Sequence, residues 1–204
     1  MMNRLIHDRS GASAAEFAIV LPLLLIFLLG IIDAGRWIWT YNRAEKATQM
    51  GARFAVVADP VTSAIGASYL GVDGLTQGDA IPAAEFGKIT CIATGTPSAV
   101  SASCNCTTAP CPDGTADSAA FQDIIGRMRA FLPEIQPSNL TIVYSSSGLG
   151  YAGNPNGADL SPLVTVTLSG LTFTPMTSFL FLSAPIPAAT TSLTAEDLNG
   201  SDSN

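Results

Sequence analysis

From Phe17 to Ile32 the chain reads FAIVLPLLLIFLLGII, without a charged or hydrogen-bonding side chain, and the small residues Ala12 to Ala15 extend this run on its amino side. A helix through Ala12–Ile32 has 21 residues. At about 1.5 Å per residue it crosses a bilayer core of about 30 Å. Beyond the run the pattern changes rather than stops. Trp37, Tyr41, Ala44, Thr48, Gly51 and Ala55 recur at three- to four-residue spacing, with Arg43, Lys46 and Arg53 elsewhere on the wheel, until Asp59-Pro60 ends the pattern. The prediction is one helix from Ala12 to Ala58, about 70 Å long. Its lower half suits lipid, and its upper half offers a narrow face of small residues. Pro22 removes one backbone hydrogen bond and is expected to bend the span. Gly30 and Ala34, four residues apart, would let a second helix approach closely.

The remaining pattern is that of a small mixed domain. Val61–Ala83 is rich in Gly, Ala and Ser and reads as loop, with at most a short helix around Ser63–Leu70. Lys88–Ala93 reads as a strand and Pro97–Gly114 as a cysteine-bearing loop. Asp117–Leu132 is the convincing distal helix: Asp117 or Ser118 caps it, Phe121, Ile124, Ile125, Met128, Phe131 and Leu132 form one apolar face, and Pro133 stops it. Leu140–Ser145 and Leu163–Ser169 alternate apolar and hydroxyl residues, as strands with one buried face do, and the stretch around Ala188–Thr194 supplies a third strand. Gly153–Gly157 marks a turn between the first two. Leu171–Pro185 is apolar but short and broken by Pro175, so it is expected in a core or a subunit interface rather than as a second span. The expected fold class is α+β: a long N-terminal transmembrane helix, then a small antiparallel-sheet periplasmic domain with one packed helix.

Glu16 stands just inside the apolar stretch. A carboxylate held charged at mid-membrane costs about 2.5 kcal/mol or more, so a buried Glu16 needs a partner. It lies five residues after Gly11, in Gly11-x-x-x-x-Glu16-Phe17. This junction, Pro22 inside the run, the Asp33-Ala34-Gly35-Arg36 exit and the Gly51-Ala52-Arg53 triplet together resemble the TadE-like family of tight-adherence pilus-assembly proteins, pseudopilins related in processing to type IV pilins. The resemblance covers about Gly11 to Phe54, a quarter of the chain. It implies that a membrane-embedded prepilin peptidase cuts after Gly11 on the cytoplasmic side and frees the amino group of Ala12. It further implies that Glu16 neutralises the free amine of a neighbouring subunit, which would make its burial tolerable. Gly11, Ala12, Glu16 and Phe17 are then the processing residues, and Glu16, Pro22, Gly30 and Ala34 the assembly residues. The partners implied are the inner membrane, a prepilin peptidase, other pseudopilins and the major pilin of a Tad/Flp system. The domains expected are a cytoplasmic leader at 1–11, the long helix at 12–58 with its span at about 12–34, and an extracytoplasmic α+β domain at 59–204. A distal domain of this bulk argues for a minor pseudopilin rather than the major pilin.

Charge sharpens this picture. Residues 1–53 hold six basic and four acidic side chains, whereas 54–204 hold three basic and twelve acidic, a balance of −9 that disfavours nucleic-acid binding. Counting Lys and Arg alone would reverse the span, because Arg36, Arg43, Lys46 and Arg53 follow it while Arg4 and Arg9 precede it. The cytoplasmic position required of the processing site, together with four distal cysteines, decides for a cytoplasmic N-terminus. A secretory signal peptide fits poorly, since the apolar run is longer than usual and no small-x-small site follows it closely.

Cys91, Cys104, Cys106 and Cys111 are an even set in an extracytoplasmic domain, for which disulfides are the expected state. A Cys104–Cys106 bridge is sterically poor. That leaves Cys91–Cys104 with Cys106–Cys111, or Cys91–Cys106 with Cys104–Cys111. Zinc is disfavoured, because the spacings match no common module and His7, the single histidine, precedes the cut. Without a histidine after the cut no Ser-His-Asp or Cys-His arrangement can form, so neither an enzyme nor a bound cofactor is expected. The rival to a pseudopilin is a permanently anchored periplasmic binding or adhesion module.

Overall fold

The computed structural model describes residues 12–155, 157–178, 183–195 and 198. Its elements in chain order are helix α1 (Ala12–Ala55), strands β1 (Lys88–Thr96) and β2 (Ala99–Thr108), helix α2 (Ser118–Arg129), then β3 (Leu140–Ser145), β4 (Leu163–Leu168), β5 (Thr172–Phe173), β6 (Ala184–Pro185) and β7 (Ala189–Thr194). The fold is α+β, and the chain divides into two compact units. The first comprises α1 as far as Thr40 together with Thr172–Pro185; the second runs from Tyr41 to Leu171 and resumes at Ile186.

The second unit is built on a five-stranded antiparallel sheet in the order β2-β1-β3-β4-β7. Register places Cys91 beside Ile142 and Ile142 beside Val166, so Ile89, Cys91, Ile142, Tyr144, Val164 and Val166 share one buried face. The opposite face carries hydroxyls that pair across strands, Thr165 with Ser192 at 2.8 Å and Thr167 with Thr190 at 3.1 Å. This is the period-2 alternation expected of a sheet with one dry side. Two helical surfaces close the dry side. One is α2, with Phe121, Ile124, Ile125 and Met128 fully buried, its start capped by the Asp117 carboxylate, which accepts from the Ala119 and Ala120 amides at 2.8 and 3.1 Å. The other is the small-residue face of α1: Ala44, Ala47, Thr48, Gly51, Ala52 and Ala55 are all buried.

Gly51 shows why that face is small. A Cβ built there would lie 2.7 Å from Met128 Sδ and 3.5 Å from Val166 Cγ1, so α1, α2 and β4 meet at this point. Polar groups fasten the same seam. Thr191 donates to the Thr48 hydroxyl at 3.1 Å, and Arg43 donates to the Phe131 carbonyl just past the end of α2 at 2.7 Å.

Three expectations need correction. The Pro97–Gly114 loop is mostly strand: β2 pairs with β1 along its length through a two-residue connection at Pro97-Ser98. Its apolar alternation, Val100, Ala102 and Cys104 between Ser101, Ser103 and Asn105, is carried by mostly small side chains that are only half-buried against the core, a weak strand signal at a sheet edge. Helix α1 ends at Ala55 rather than Ala58, although the Ala58 amide still reaches the Phe54 carbonyl at 2.9 Å. Phe131, placed on the apolar face of α2, is 38% exposed beyond the helix end, where the helical wheel no longer applies.

The cysteines pair as Cys91–Cys104 and Cys106–Cys111, and none is free. The first bridge joins directly opposed residues of β1 and β2. By chain-entropy reasoning a loop of this length contributes about 3 kcal/mol. The long connections are held by one carboxylate. Asp159, buried, accepts from the Tyr69 amide at 2.7 Å, the Ser68 hydroxyl at 3.4 Å and the Asn154 amide at 2.8 Å. Burial alone would raise its pKa, but these donors, with the Gly153 amide, outweigh it and hold the carboxyl below its ordinary value.

Two outcomes are expected. Gly51→Ala gains up to about 1 kcal/mol of helix propensity but drives a Cβ into the Sδ and Cγ of the fully buried Met128, so it should lose about 1–3 kcal/mol in denaturant titrations in detergent, and Gly51→Leu should lose more. Asp159 titrates below its unfolded value of about 3.9, so its contribution is complete above that pH and is lost as the pH falls through the folded value. The urea midpoint should therefore fall on acidification below about pH 4, and it should fall less steeply in Asp159→Asn, which is already weaker at neutral pH.

Candidate functional site

The first unit is α1 up to Thr40 with one short ribbon against it. Along Phe17–Ile32 every side chain is exposed except Leu29 and Gly30, which are half-buried. Phe17 is 63% and Phe27 65% exposed. This helix is long and apolar enough to cross a membrane. Glu16 is exposed on it and forms no hydrogen bond or ion pair among the described residues. Gly11 and residues 1–10 lie outside the described residues, as do residues 179–182 of the apolar 171–185 segment. Pro22 sits inside an uninterrupted α1 and leaves the Ala18 carbonyl without its intrahelical donor.

The apolar run ends at a polar clasp. Asp33, Arg36 and Trp37 occupy positions i, i+3 and i+4, which places them on one helix face. Asp33 is only 6% exposed. One carboxylate oxygen accepts from the Met176 amide at 2.8 Å and from Arg36 Nη1 at 3.0 Å; the other accepts from the Thr177 amide at 3.0 Å and its hydroxyl at 2.8 Å. Arg36 also lies over the Phe173 ring, 5.2 Å from its centroid, and Trp37 Nε1 donates to the Pro185 carbonyl at 3.3 Å. The partners all belong to the excursion between β4 and β7. Strands β5 and β6 pair within it, and in the second unit the Ile186 amide meets the Leu171 carbonyl at 2.9 Å, closing its base. A buried carboxylate is costly unless its lone pairs are occupied, and here four donors occupy them.

Between the clasp and the helix opens an apolar groove of about 610 Å³, bordered by Gly30, Ala34, Trp37 and Ile38 on α1 and by Phe173 and Pro175 on the ribbon. Gly30 and Ala34 thus face the ribbon side of α1, and a Cβ on Gly30 would meet nothing within 4 Å. The sequence marked the Asp33–Arg36 exit but not its partner. Adjacent acidic, basic and indole side chains closing an apolar run were the available signal; the residues they hold lie about 140 positions away, beyond any periodicity argument.

A cavity of about 580 Å³ in the second unit has Asp59 as the single ionisable side chain among the described residues that line it. Among the described residues no group of three or more His, Cys, Asp or Glu is placed to hold a metal ion.

Residues 11–53 match the family model described as TadE-like protein. No curated protein and no solved structure matches the chain. The match takes in the exposed apolar helix, the Asp33–Arg36–Trp37 face and Gly51, and it stops before the sheet begins.

Replacing Asp33 by Ala removes the acceptor of two backbone amides. Hydrogen exchange of Met176 and Thr177 should quicken by about tenfold or more, because each loses a bond to a charged acceptor. The amides of β3 should keep their protection. Equal protection at 176 and 177 in the variant would show that the clasp does not hold the ribbon.

Proposed function

Because its first quarter is TadE-like, we propose that this Tad pilus-associated chain is a minor pseudopilin, anchored in the inner membrane by α1 and required for initiating, priming or capping a Tad/Flp-type adhesive pilus. In this reading a prepilin peptidase cuts after Gly11 at the cytoplasmic face and Ala12 becomes the mature N-terminus. The span occupies about residues 12–34, and the sheet-bearing unit lies on the extracytoplasmic side, where its two disulfides persist. The chain acts by assembly rather than by catalysis and uses no cofactor.

The observation that carries the reading is a helix whose apolar side chains are exposed from Phe17 to Leu28 and again at Ile31 and Ile32, and which carries an exposed carboxylate, Glu16, in its second turn. Such a surface is unstable in water and natural in lipid. Glu16 in that setting calls for a positive partner, and a neighbouring subunit's free amine has the right charge. Gly30, Ala34 and Pro22 are assigned to helix packing in the assembled fibre, where close approach and a local loss of backbone bonding both matter.

Intact-mass and N-terminal sequencing of the membrane-extracted protein, with and without the cognate peptidase, tests the processing. A peptidase-dependent start at Ala12 is expected. Glu16→Ala should abolish piliation while leaving cleavage largely intact. An uncut chain with full function in the Glu16 variant would instead make it a permanent anchor for a periplasmic binding module.

A further inference from the structure

The ribbon clasped by Asp33 carries an apolar surface that the clasp leaves open. Met176 gives its amide to Asp33, yet its side chain is 59% exposed. Asp33 is the first residue after the apolar run ends at Ile32. The hydrogen bond therefore fixes Met176 at the level where the helix leaves its lipid-compatible stretch. One helical turn further on, Trp37 holds the other end of the ribbon through the Pro185 carbonyl. Tryptophan favours the membrane–water interface, so both attachments fall within that layer.

Composition points the same way. No charged side chain occurs between Thr172 and Pro185. The Thr177 hydroxyl, which would favour water, is consumed by Asp33 and is buried. Beside the ribbon, Ile38 of α1, which lines the groove, remains 53% exposed, so Met176 adds to an apolar surface that already exists on the helix. An uncharged patch of this kind in water would be an aggregation liability, whereas in the interfacial layer its burial is favourable.

We infer that the β5–β6 ribbon is a membrane-interface element, which seats Met176 among the glycerol and upper acyl groups of the phospholipid leaflet at the Asp33 end of the span. The inference rests on the reading of α1 as a membrane helix. Its occupant is lipid. The clasp gives the arrangement its logic: Asp33 satisfies the ribbon's backbone amides at the depth where water becomes scarce, and unsatisfied amides there are costly.

The test uses the full chain in vesicles of phosphatidylethanolamine and phosphatidylglycerol. Nitroxide labels are placed singly through Met176→Cys, Ile31→Cys and Leu149→Cys, all at exposed positions, while the native cysteines stay in disulfides. Collision rates are then measured with oxygen, which concentrates in lipid, and with a water-soluble nickel chelate. Oxygen collisions should dominate at 176 and 31, and nickel collisions at 149. If 176 behaves as 149 does while 31 remains lipidic, the ribbon inference fails and the span stands. An aqueous signal at 31 as well would overturn the span reading and the ribbon with it. Shielding of 176 from both reagents would indicate a protein neighbour and overturn lipid as the occupant.

Discussion

One continuous helix, α1, changes character along its length, from an apolar surface exposed all round to a narrow face of small buried residues. An α-helix satisfies its own amides and carbonyls, so its first part can be apolar all round and still be stable without water. Its later part must instead present a face to a sheet and a second helix. There the side chains shrink to Ala44, Ala47, Gly51, Ala52 and Ala55, all buried, and the helix axis comes close enough for Gly51 to lie against Met128 and Val166. Small residues contribute little transfer free energy individually. Their value is in the close approach they permit, which lets Phe121, Ile124, Ile142 and Val166 fill the core at interior density.

Asp33 stands where the apolar run ends. A lone carboxylate at the end of an apolar run would be a liability, and its four donors turn it into the anchor of the excursion from β4 to β7. The excursion is topologically an insertion. Remove it and β4 and β7 would be consecutive neighbours, since Leu168 already pairs with Ala189 and Leu171 with Ile186. The sheet does not need the ribbon for its order, which leaves the ribbon free to serve the helix end.

Much of this was legible in the residues. The run Phe17–Ile32 and the α2 face around Phe121, Ile124 and Met128 are short-range patterns that one segment displays alone. Strands β3 and β4 were equally plain, because each buries one face and so alternates. Strand β2 was not, since the alternation of Val100, Ala102 and Cys104 in this edge strand rests on mostly small, half-buried side chains beside a cysteine-rich stretch that reads as loop. The two disulfide pairings left open by spacing were separated by register, which sets Cys91 opposite Cys104.

By itself, then, the sequence determined which segment can live in lipid, where that segment ends, the likeness of residues 11–53 to a pilus-assembly family and the α+β class. Those properties depend on composition and on periods of two and 3.6 residues, which are local. Tertiary structure alone decided that Asp33 holds Met176 and Thr177, that Gly51 is the point where α1, α2 and β4 meet, and that the 172–185 segment belongs with the first helix. Each of these joins residues tens to more than a hundred positions apart. The closure of such contacts is governed by the packing of the whole chain and leaves no repeating mark on either partner.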